Sequence, residues 1–142
     1  MKPFEDIDVD LLLPQQPPFR FVDSLLSYTE EDTVVHLTVG SGHMLMDGDT
    51  LSAAGLLEHM AQASAARSGY RQRFVLNLPV SIGYIGQVKK YRIERLPKKG
   101  EELTTTVHLV QDFFNVSMTD IEVRVGEELI ASASLKSAQA SQ

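Results

Sequence analysis

The stretch from Thr50 to Ala66 constrains the fold of this chain more than any other, because its residues are almost all apolar or small. Ser52 is the predicted N-cap, since a serine hydroxyl accepts an unpaired N–H from the first turn of a helix. Gly69 is the predicted stop of the helix. A helix that is apolar around its whole circumference is surrounded by the rest of its fold. The pattern therefore predicts one buried helix within residues 51–73.

Glu58 carries the only formal charge between Thr50 and Ala66. Its helical face is otherwise uncharged and holds Ala54, Ala61, Gln62 and Ala65. A carboxylate in such surroundings is paired, protonated or used by a group from another part of the protein. The residues alone leave two interpretations open. Glu58 is either a functional carboxyl group or a helix-edge residue that faces solvent or pairs with Arg67 or Arg71 of a partner.

The composition limits the class of protein. The chain has 142 residues, which is one domain by length and enough to bury a core. The absence of cysteine excludes disulfides and cysteine-type zinc sites, and the net charge of −6 argues against nucleic acid as the main partner. No apolar run is long enough to span a bilayer, and the acidic start MKPFEDIDVD lacks the pattern of a signal peptide. We therefore expect a soluble, cytoplasmic protein.

Alternation of apolar and polar residues predicts strands on both sides of the helix. It is clearest where Val35, Leu37 and Val39 share one face. The predicted strands are residues 19–29, 33–39, 79–94, 103–111, 115–125 and 129–136, with a loop at residues 40–50 before the helix. Two strands, one buried helix and about four antiparallel strands form an α+β fold.

A single antiparallel sheet of this length is able to curl around the apolar helix, and that arrangement is the hotdog fold. We expect one hotdog domain over residues 1–142, in which the lead-in at residues 1–10 and the tail at residues 137–142 are irregular or disordered. A curled sheet leaves strand edges unpaired, and joining two copies edge to edge removes them. The sequence therefore predicts a homodimer or a higher homo-oligomer.

Four segments, taken in order, resemble one family of enzymes. They are LLLPQQPPFRFVD, AGLLEHMAQASAA, IGYIGQVKKYRIERLPKKGEEL and GEELIASASL. These segments resemble the 3-hydroxyacyl-[acyl-carrier-protein] dehydratases, which are FabZ- and FabA-like hotdog proteins. The sequence is most similar to the divergent branch of that family associated with aryl-polyene pathways. The resemblance extends over residues 11–135.

The resemblance implies an acid and a base taken from opposite protomers. In that family a histidine ahead of the helix removes the α-proton of the acyl thioester, and a helix carboxyl group protonates the departing β-hydroxyl. Glu58 matches the acid position. The resemblance also implies substrate-binding roles for Gly55 and Gln62. Met44 and Met46 are either core or interface residues or substrate-binding residues, since methionine suits a flexible acyl chain. No metal ion or diffusible cofactor is implied, because acyl carrier protein, the implied partner, carries the substrate on its phosphopantetheine.

The position of the base leaves three possibilities. Counted from the strand that ends at Val39, the Gly-His pair of the family falls on Gly48-Asp49, whereas a Gly-His pair occurs earlier, as Gly42-His43. The base is therefore His43 in a rearranged loop, or Asp49, or it is missing.

The remaining histidines and the basic residues have plainer interpretations. His59 follows the acid in sequence but points about 100° away from it on a helix. His36 and His108 are predicted to be surface residues, and no pair of histidines has metal-ligand spacing. The basic stretch after the helix is either a solvated strand face or a docking patch for an acidic carrier protein; it contains Lys89, Lys90, Arg92 and Arg95.

Three functions fit these observations. The first is a dehydratase with Glu58 as acid and His43 as base. The second is a hotdog thioesterase, in which the helix carboxylate activates water for hydrolysis. The third is a catalytically silent subunit that binds acyl chains or partners a competent dehydratase, and the aspartate at position 49 favours this third function.

Overall fold

The computed structural model describes residues 3–40, 43–81 and 83–139. Short 3-10 helices at Phe4–Asp6 and Val9–Leu11 precede the sheet. The strands are β1 Ser24–Tyr28, β2 Asp32–Thr38, β3 Met46–Asp47, β4 Thr50–Leu51, β5 Gly83–Ile93, β6 Glu102–Phe113, β7 Val116–Val125 and β8 Glu128–Gln139. The helix α1, Ala53–Tyr70, lies between β4 and β5 and continues into a π-helical turn at Arg71–Val75.

Six strands form one antiparallel sheet in the order β1-β2-β6-β7-β8-β5. The predicted α+β hotdog arrangement, one long sheet with one central helix, is confirmed. Several details of the strands differ from the sequence-based prediction: β1 begins at Ser24 instead of residue 19, and β5 begins at Gly83 instead of residue 79. The loop predicted at residues 40–50 contains a small hairpin of β3 and β4, and β8 continues to Gln139, so residues 137–139 are strand and not tail. The first two and the last three residues lie outside the described residues. In the part of the chain that is described, no helix is both long and apolar enough to cross a membrane.

The core lies between the concave face of the sheet and α1. The predicted alternation is confirmed, because Val35 and Leu37 are fully buried and point to the helix side of β2. They are joined in one cluster by Leu56, Met60 and Ala63 of α1, and by further buried residues: Leu12, Leu13, Leu103, Val107, Ile121, Val123, Ile130 and Leu135. Burial of these side chains supplies the main driving force for the fold.

The helix begins where the sequence predicts and ends later. The Ser52 hydroxyl accepts the Gly55 N–H at 3.1 Å, which confirms the N-cap. The prediction that Gly69 stops the helix is wrong, because α1 runs through it. A Cβ at Gly69 would meet the carbonyl oxygen of Leu12 and lie 3.1 to 3.2 Å from its C and Cα atoms. Glycine is therefore required at this position by close packing against the lead-in segment, and not by a helix cap.

Within one chain α1 is not covered on every side, contrary to the sequence-based expectation. Ala54 is exposed, and Glu58, Ala61 and Ala65 on the same face are only half-buried. This face lies beside β5, the last strand of the sheet order, so the sheet of a single chain ends before it wraps the whole helix.

His59 is fully buried between α1 and the sheet. Its Nδ1–H donates to the Phe21 carbonyl at 2.6 Å, and its Nε2 accepts from the Thr105 hydroxyl at 2.7 Å. These partners fix a neutral ring with its proton on Nδ1, because a carbonyl oxygen only accepts. Burial lowers the pKa of His59 to about 4. His59 thus joins the helix to the segment before β1 and to β6.

We expect Gly69→Ala to lower the free energy of unfolding by about 2 kcal/mol, although alanine is the better helix former, because the added Cβ overpacks the Leu12 backbone. Urea denaturation measures the change. Gly40→Ala is the control, since a Cβ there has no described atom within 4 Å. A Gly69→Ala protein as stable as the original would contradict this account of the packing.

We expect stability to fall as the pH decreases from 6.5 to about 4, because the unfolded chain protonates His59 near its ordinary value while the folded chain does not. The neutral ring stabilises the fold fully above this window, and the loss through it is up to about 3 kcal/mol. Denaturation of the original protein and of His59→Gln across this range measures the difference. His108→Gln is the control, because the carboxylate of Asp32 raises the pKa of His108 and gives the opposite sign. Identical pH profiles for the original protein and His59→Gln would contradict the assignment.

Candidate functional site

Glu58 lies in the second turn of α1, half-buried at the edge of a cavity of about 180 Å³. The cavity runs between the helix and β5. Its helix wall is formed mainly by small residues, Ala61, Ser64, Ala65 and Ser68, and its strand wall includes Tyr84 and Ile85 of β5. A carboxyl group that lines such a cavity is able to exchange a proton with a molecule bound inside it.

Gln62 holds the Glu58 side chain in place. One helical turn after Glu58, its Nε2 donates to Glu58 Oε1 at 2.9 Å and to the Phe19 carbonyl at 2.8 Å. Its Oε1 accepts the Phe21 N–H at 2.7 Å. Gln62 is itself buried, so both ends of its amide are fixed. The carboxyl group is therefore tied to the backbone of residues 19–21 through one side chain.

His43 packs on the same segment from the loop before β3. Its ring lies edge-on to Phe21, with 5.1 Å between centroids, and its backbone N–H donates to the Gly40 carbonyl at 3.3 Å. The ring is half-buried, and its Nδ1 has no hydrogen-bond partner among the described residues. Burial lowers the pKa of His43, and Asp23 opposes this shift. A general base requires a neutral imidazole. Because Nδ1 is shielded from solvent, that role falls to Nε2 of the ring. Gly42, the other half of the Gly-His pair, lies outside the described residues.

The structure does not bring His43 and Glu58 into one cavity of the same chain, because His43 is absent from the described residues that line the Glu58 cavity. Asp49 does not line it either. Asp49 lies exposed in the turn between β3 and β4, where its carbonyl accepts the Lys99 N–H at 2.7 Å. A single chain therefore does not decide whether the base is His43, Asp49 or neither, and these three alternatives stay predictions.

The other predicted substrate-binding residues lie near the start of α1. Gly55 donates its N–H to the Ser52 cap, so a substrate carbonyl would have to compete with that hydroxyl. A Cβ at Gly55 would lie 2.5 Å from Leu51 Cδ1, which explains the glycine by packing. Met44 is 45% exposed, whereas Met46 is half-buried against the core. Neither methionine is among the described residues that line the Glu58 cavity.

The remaining charged candidates have partners on the surface. His36 lies 3.2 Å from Glu102, and His108 lies 2.8 Å from Asp32. Arg95 forms a bidentate ion pair with Glu101 at 2.7 and 2.8 Å, which lowers the pKa of Glu101 to about 2. The exposed basic residues that remain on β5 are Lys89, Lys90 and Arg92. No cluster of metal-ligating side chains occurs among residues 3–40, 43–81 and 83–139.

Sequence reasoning missed the role of residues 19–21. This segment was predicted to begin a strand, but it is irregular and accepts or donates hydrogen bonds to both Gln62 and His59. The spacing of Gln62 four residues after Glu58 was a signal that the two side chains meet. No signal in the sequence indicated that the backbone of Phe19 and Phe21 would hold them, because those contacts span about forty residues of chain.

The amino-acid sequence is similar to those of known dehydratases. The ApeP-like family, described as ApeP dehydratase, matches residues 7–142. A 3-hydroxyacyl-[acyl-carrier-protein] dehydratase FabZ of Shewanella sediminis is 26% identical over 134 residues, which cover 89% of this chain and 86% of that protein.

Two examples represent the solved structures that share the fold. One is from the dehydratase heterocomplex ApeI:P of Xenorhabdus doucetiae, with a TM-score of 0.87 and 19% identity over 96% of this chain and 93% of that chain. The other is a hypothetical thioesterase from Streptococcus pneumoniae solved with coenzyme A, with a TM-score of 0.66 and 14% identity over 83% of this chain and 85% of that chain. At these identities the likeness is one of fold, and it confirms the predicted hotdog class.

We expect Gln62→Met to lower the free energy of unfolding by about 2 kcal/mol, because the buried Phe21 N–H loses its acceptor and the part-buried Phe19 carbonyl loses its donor. Urea denaturation measures the loss, and hydrogen exchange at the Phe21 amide should accelerate. Gln87→Met, on the exposed surface of β5, is the matched control. Equal stabilities for the two variants would contradict the role assigned to Gln62.

Proposed function

The chain belongs to the ApeP-like dehydratase family, and we propose that it removes water from 3-hydroxyacyl thioesters carried by acyl carrier protein. The pathway would be a fatty-acid or polyene type of synthesis. The observation that carries the proposal is the carboxyl group of Glu58. It lines a cavity and is held by a buried amide that is itself fixed to the backbone.

The reaction assigns one proton transfer to each catalytic residue. His43 takes the α-proton of the thioester, and the electron pair of that C–H bond forms the new double bond to the β-carbon. The C–O bond to the β-hydroxyl breaks, and the Glu58 carboxyl group donates the proton that lets the hydroxyl leave as water. Burial of His43 supports this assignment, because it keeps the ring neutral. Gln62, which also lines the cavity, positions the carboxyl group through its hydrogen bond to Glu58.

The site is completed by a second chain in this proposal. His43 lies outside the Glu58 cavity of its own chain, and β5 lies at the edge of the sheet with Tyr84, Ile85 and Val88 exposed. A homodimer joined along β5 covers these side chains and the half-buried face of α1. The thioester substrate needs no metal or diffusible cofactor, and the exposed lysines and arginine of β5 are the docking patch proposed for acyl carrier protein.

A second candidate is a subunit that acts within a heteromeric dehydratase. Two observations favour it. Counted from the strand that ends at Val39, the family resemblance places the histidine of the Gly-His pair at Asp49, and a structure with the same fold is part of the ApeI:P heterocomplex. In this case Glu58 contributes the acid and the base comes from the partner.

We expect the purified protein to convert a 3-hydroxyacyl carrier-protein thioester to a product lighter by one water, detected by mass spectrometry. Glu58→Gln and His43→Ala should each lower kcat at least about 100-fold, because each removes one proton transfer. Glu102→Gln is the control for Glu58, since it removes an exposed carboxylate of β6. Release of free acid would indicate a thioesterase, and full activity of Glu58→Gln would contradict the proposed acid.

Mixing the two inactive variants tests whether the site is shared between chains. If His43 and Glu58 of opposite protomers act together, a mixed dimer keeps one intact site of two, and co-expression in equal amounts restores about a quarter of the original activity. No recovery, with mixed dimers present, would place both residues in one chain. Activity that appears only when a second hotdog protein is added would support the heteromeric candidate.

A further inference from the structure

Arg67 is a buried arginine whose charge is not matched by a close partner. It lies in the last turn of α1 and is 2% exposed. Its Nε and Nη2 atoms have no hydrogen-bond partner among the described residues, and the same is true of Nε of Arg71, one turn later. Burying guanidinium N–H groups without acceptors is costly, so an arrangement of this kind calls for an acceptor.

These two arginines line a second cavity, of about 340 Å³, at the C-terminal end of α1. Its other walls include Gln72, Asp112 and Asn115, and Leu76 and Leu78 lie at its rim. It adjoins the Glu58 cavity, because Ser68, Ser81 and Gln139 line both. The volume is sufficient for a phosphate or carboxylate group with part of the molecule that carries it.

The charges in this cavity do not balance. Asp112 is the carboxylate that lines it, and its Oδ2 lies 3.9 Å from Nη2 of Arg67 and from Nη1 of Arg71. These separations are beyond hydrogen-bond length, so one carboxylate faces two guanidinium groups without bonding to either. Burial lowers the pKa of Arg67, and Asp112 opposes this effect.

We propose that this cavity is a binding site for an oxyanion, a carboxylate or phosphate group, held by Arg67 and Arg71. A planar guanidinium binds such groups through two parallel N–H donors. The Arg67 side chain lines the cavity, and its Nε and Nη2 are shielded from water without a hydrogen-bond partner among the described residues. The site is distinct from the carboxyl group of Glu58 and does not depend on the proposed dehydratase reaction. Its ligand is either a phosphate ester or a carboxylate with an alkyl chain, such as a free fatty acid.

The test is an NMR titration of the arginine Nε–H signals of the 15N-labelled protein with inorganic phosphate and, separately, with octanoate. Physiological salt is present, so weak surface binding is screened. We expect saturable shifts of the Arg67 and Arg71 signals. Binding by phosphate alone would indicate a phosphate ester as the natural source, and binding by octanoate but not by octanamide would indicate the carboxylate end of an acyl chain.

Three variants distinguish binding at this site from nonspecific attraction of anions to basic side chains. Arg67→Met should weaken binding at least about tenfold, since it removes a bidentate charged contact. Arg73→Met, which removes an exposed arginine of the same segment, should leave binding unchanged. Asp112→Asn should tighten binding several-fold, because it removes the competing carboxylate, and it remains informative if Arg67→Met does not fold. No saturable binding of either anion, equal losses in Arg67→Met and Arg73→Met, or weaker binding by Asp112→Asn would overturn the proposal.

Discussion

The attachment of α1 to the irregular segment before β1 is the interaction on which the rest of the structure depends. Two buried polar side chains of the helix make it. His59 donates to the Phe21 carbonyl, and Gln62 accepts the Phe21 N–H while donating to the Phe19 carbonyl. Because these groups are shielded from water, losing any one bond leaves a buried donor or acceptor unsatisfied. The helix is thereby fixed in rotation and depth against the sheet, and the direction of Glu58 is set with it.

The same attachment links structure to the proposed chemistry. Gln62 fixes the backbone of residues 19–21 at one end of its amide and the Glu58 carboxyl group at the other. The ring of His43 packs on Phe21. Acid and proposed base therefore rest on one short segment, although His43 does not line the cavity of its own chain. In the proposed dimer each chain supplies its acid to one site and its base to the other. Both must be held in place, because one proton leaves the α-carbon while another reaches the β-hydroxyl.

The polar side chains of α1 have different roles at different positions along the helix. His59 and Gln62 are fully bonded and serve the fold. Glu58 borders a cavity and carries the proposed chemistry. Arg67, two turns later, is buried with donors that the described residues do not satisfy. The other buried polar side chains of this helix have hydrogen-bond partners, whereas the Arg67 guanidinium has N–H groups without a partner among the described residues. The missing acceptor is therefore a local feature of Arg67, which supports an anion site there, and not a sign of poor packing overall.

The sequence by itself determined the elements and the fold class. Ser52 as N-cap, the alternation of Val35 and Leu37, and the order of one helix among strands are local properties, and hydrophobic periodicity records them directly. The sequence also identified Glu58 as a candidate, because it is the single charged residue in an otherwise apolar stretch. Tertiary structure alone decided the meaning of Gly69, which packs on Leu12, and the partners of Gln62 and Arg67. These roles depend on contacts between residues about 40 to 60 positions apart, and a side chain carries no mark of the distant backbone that it will meet.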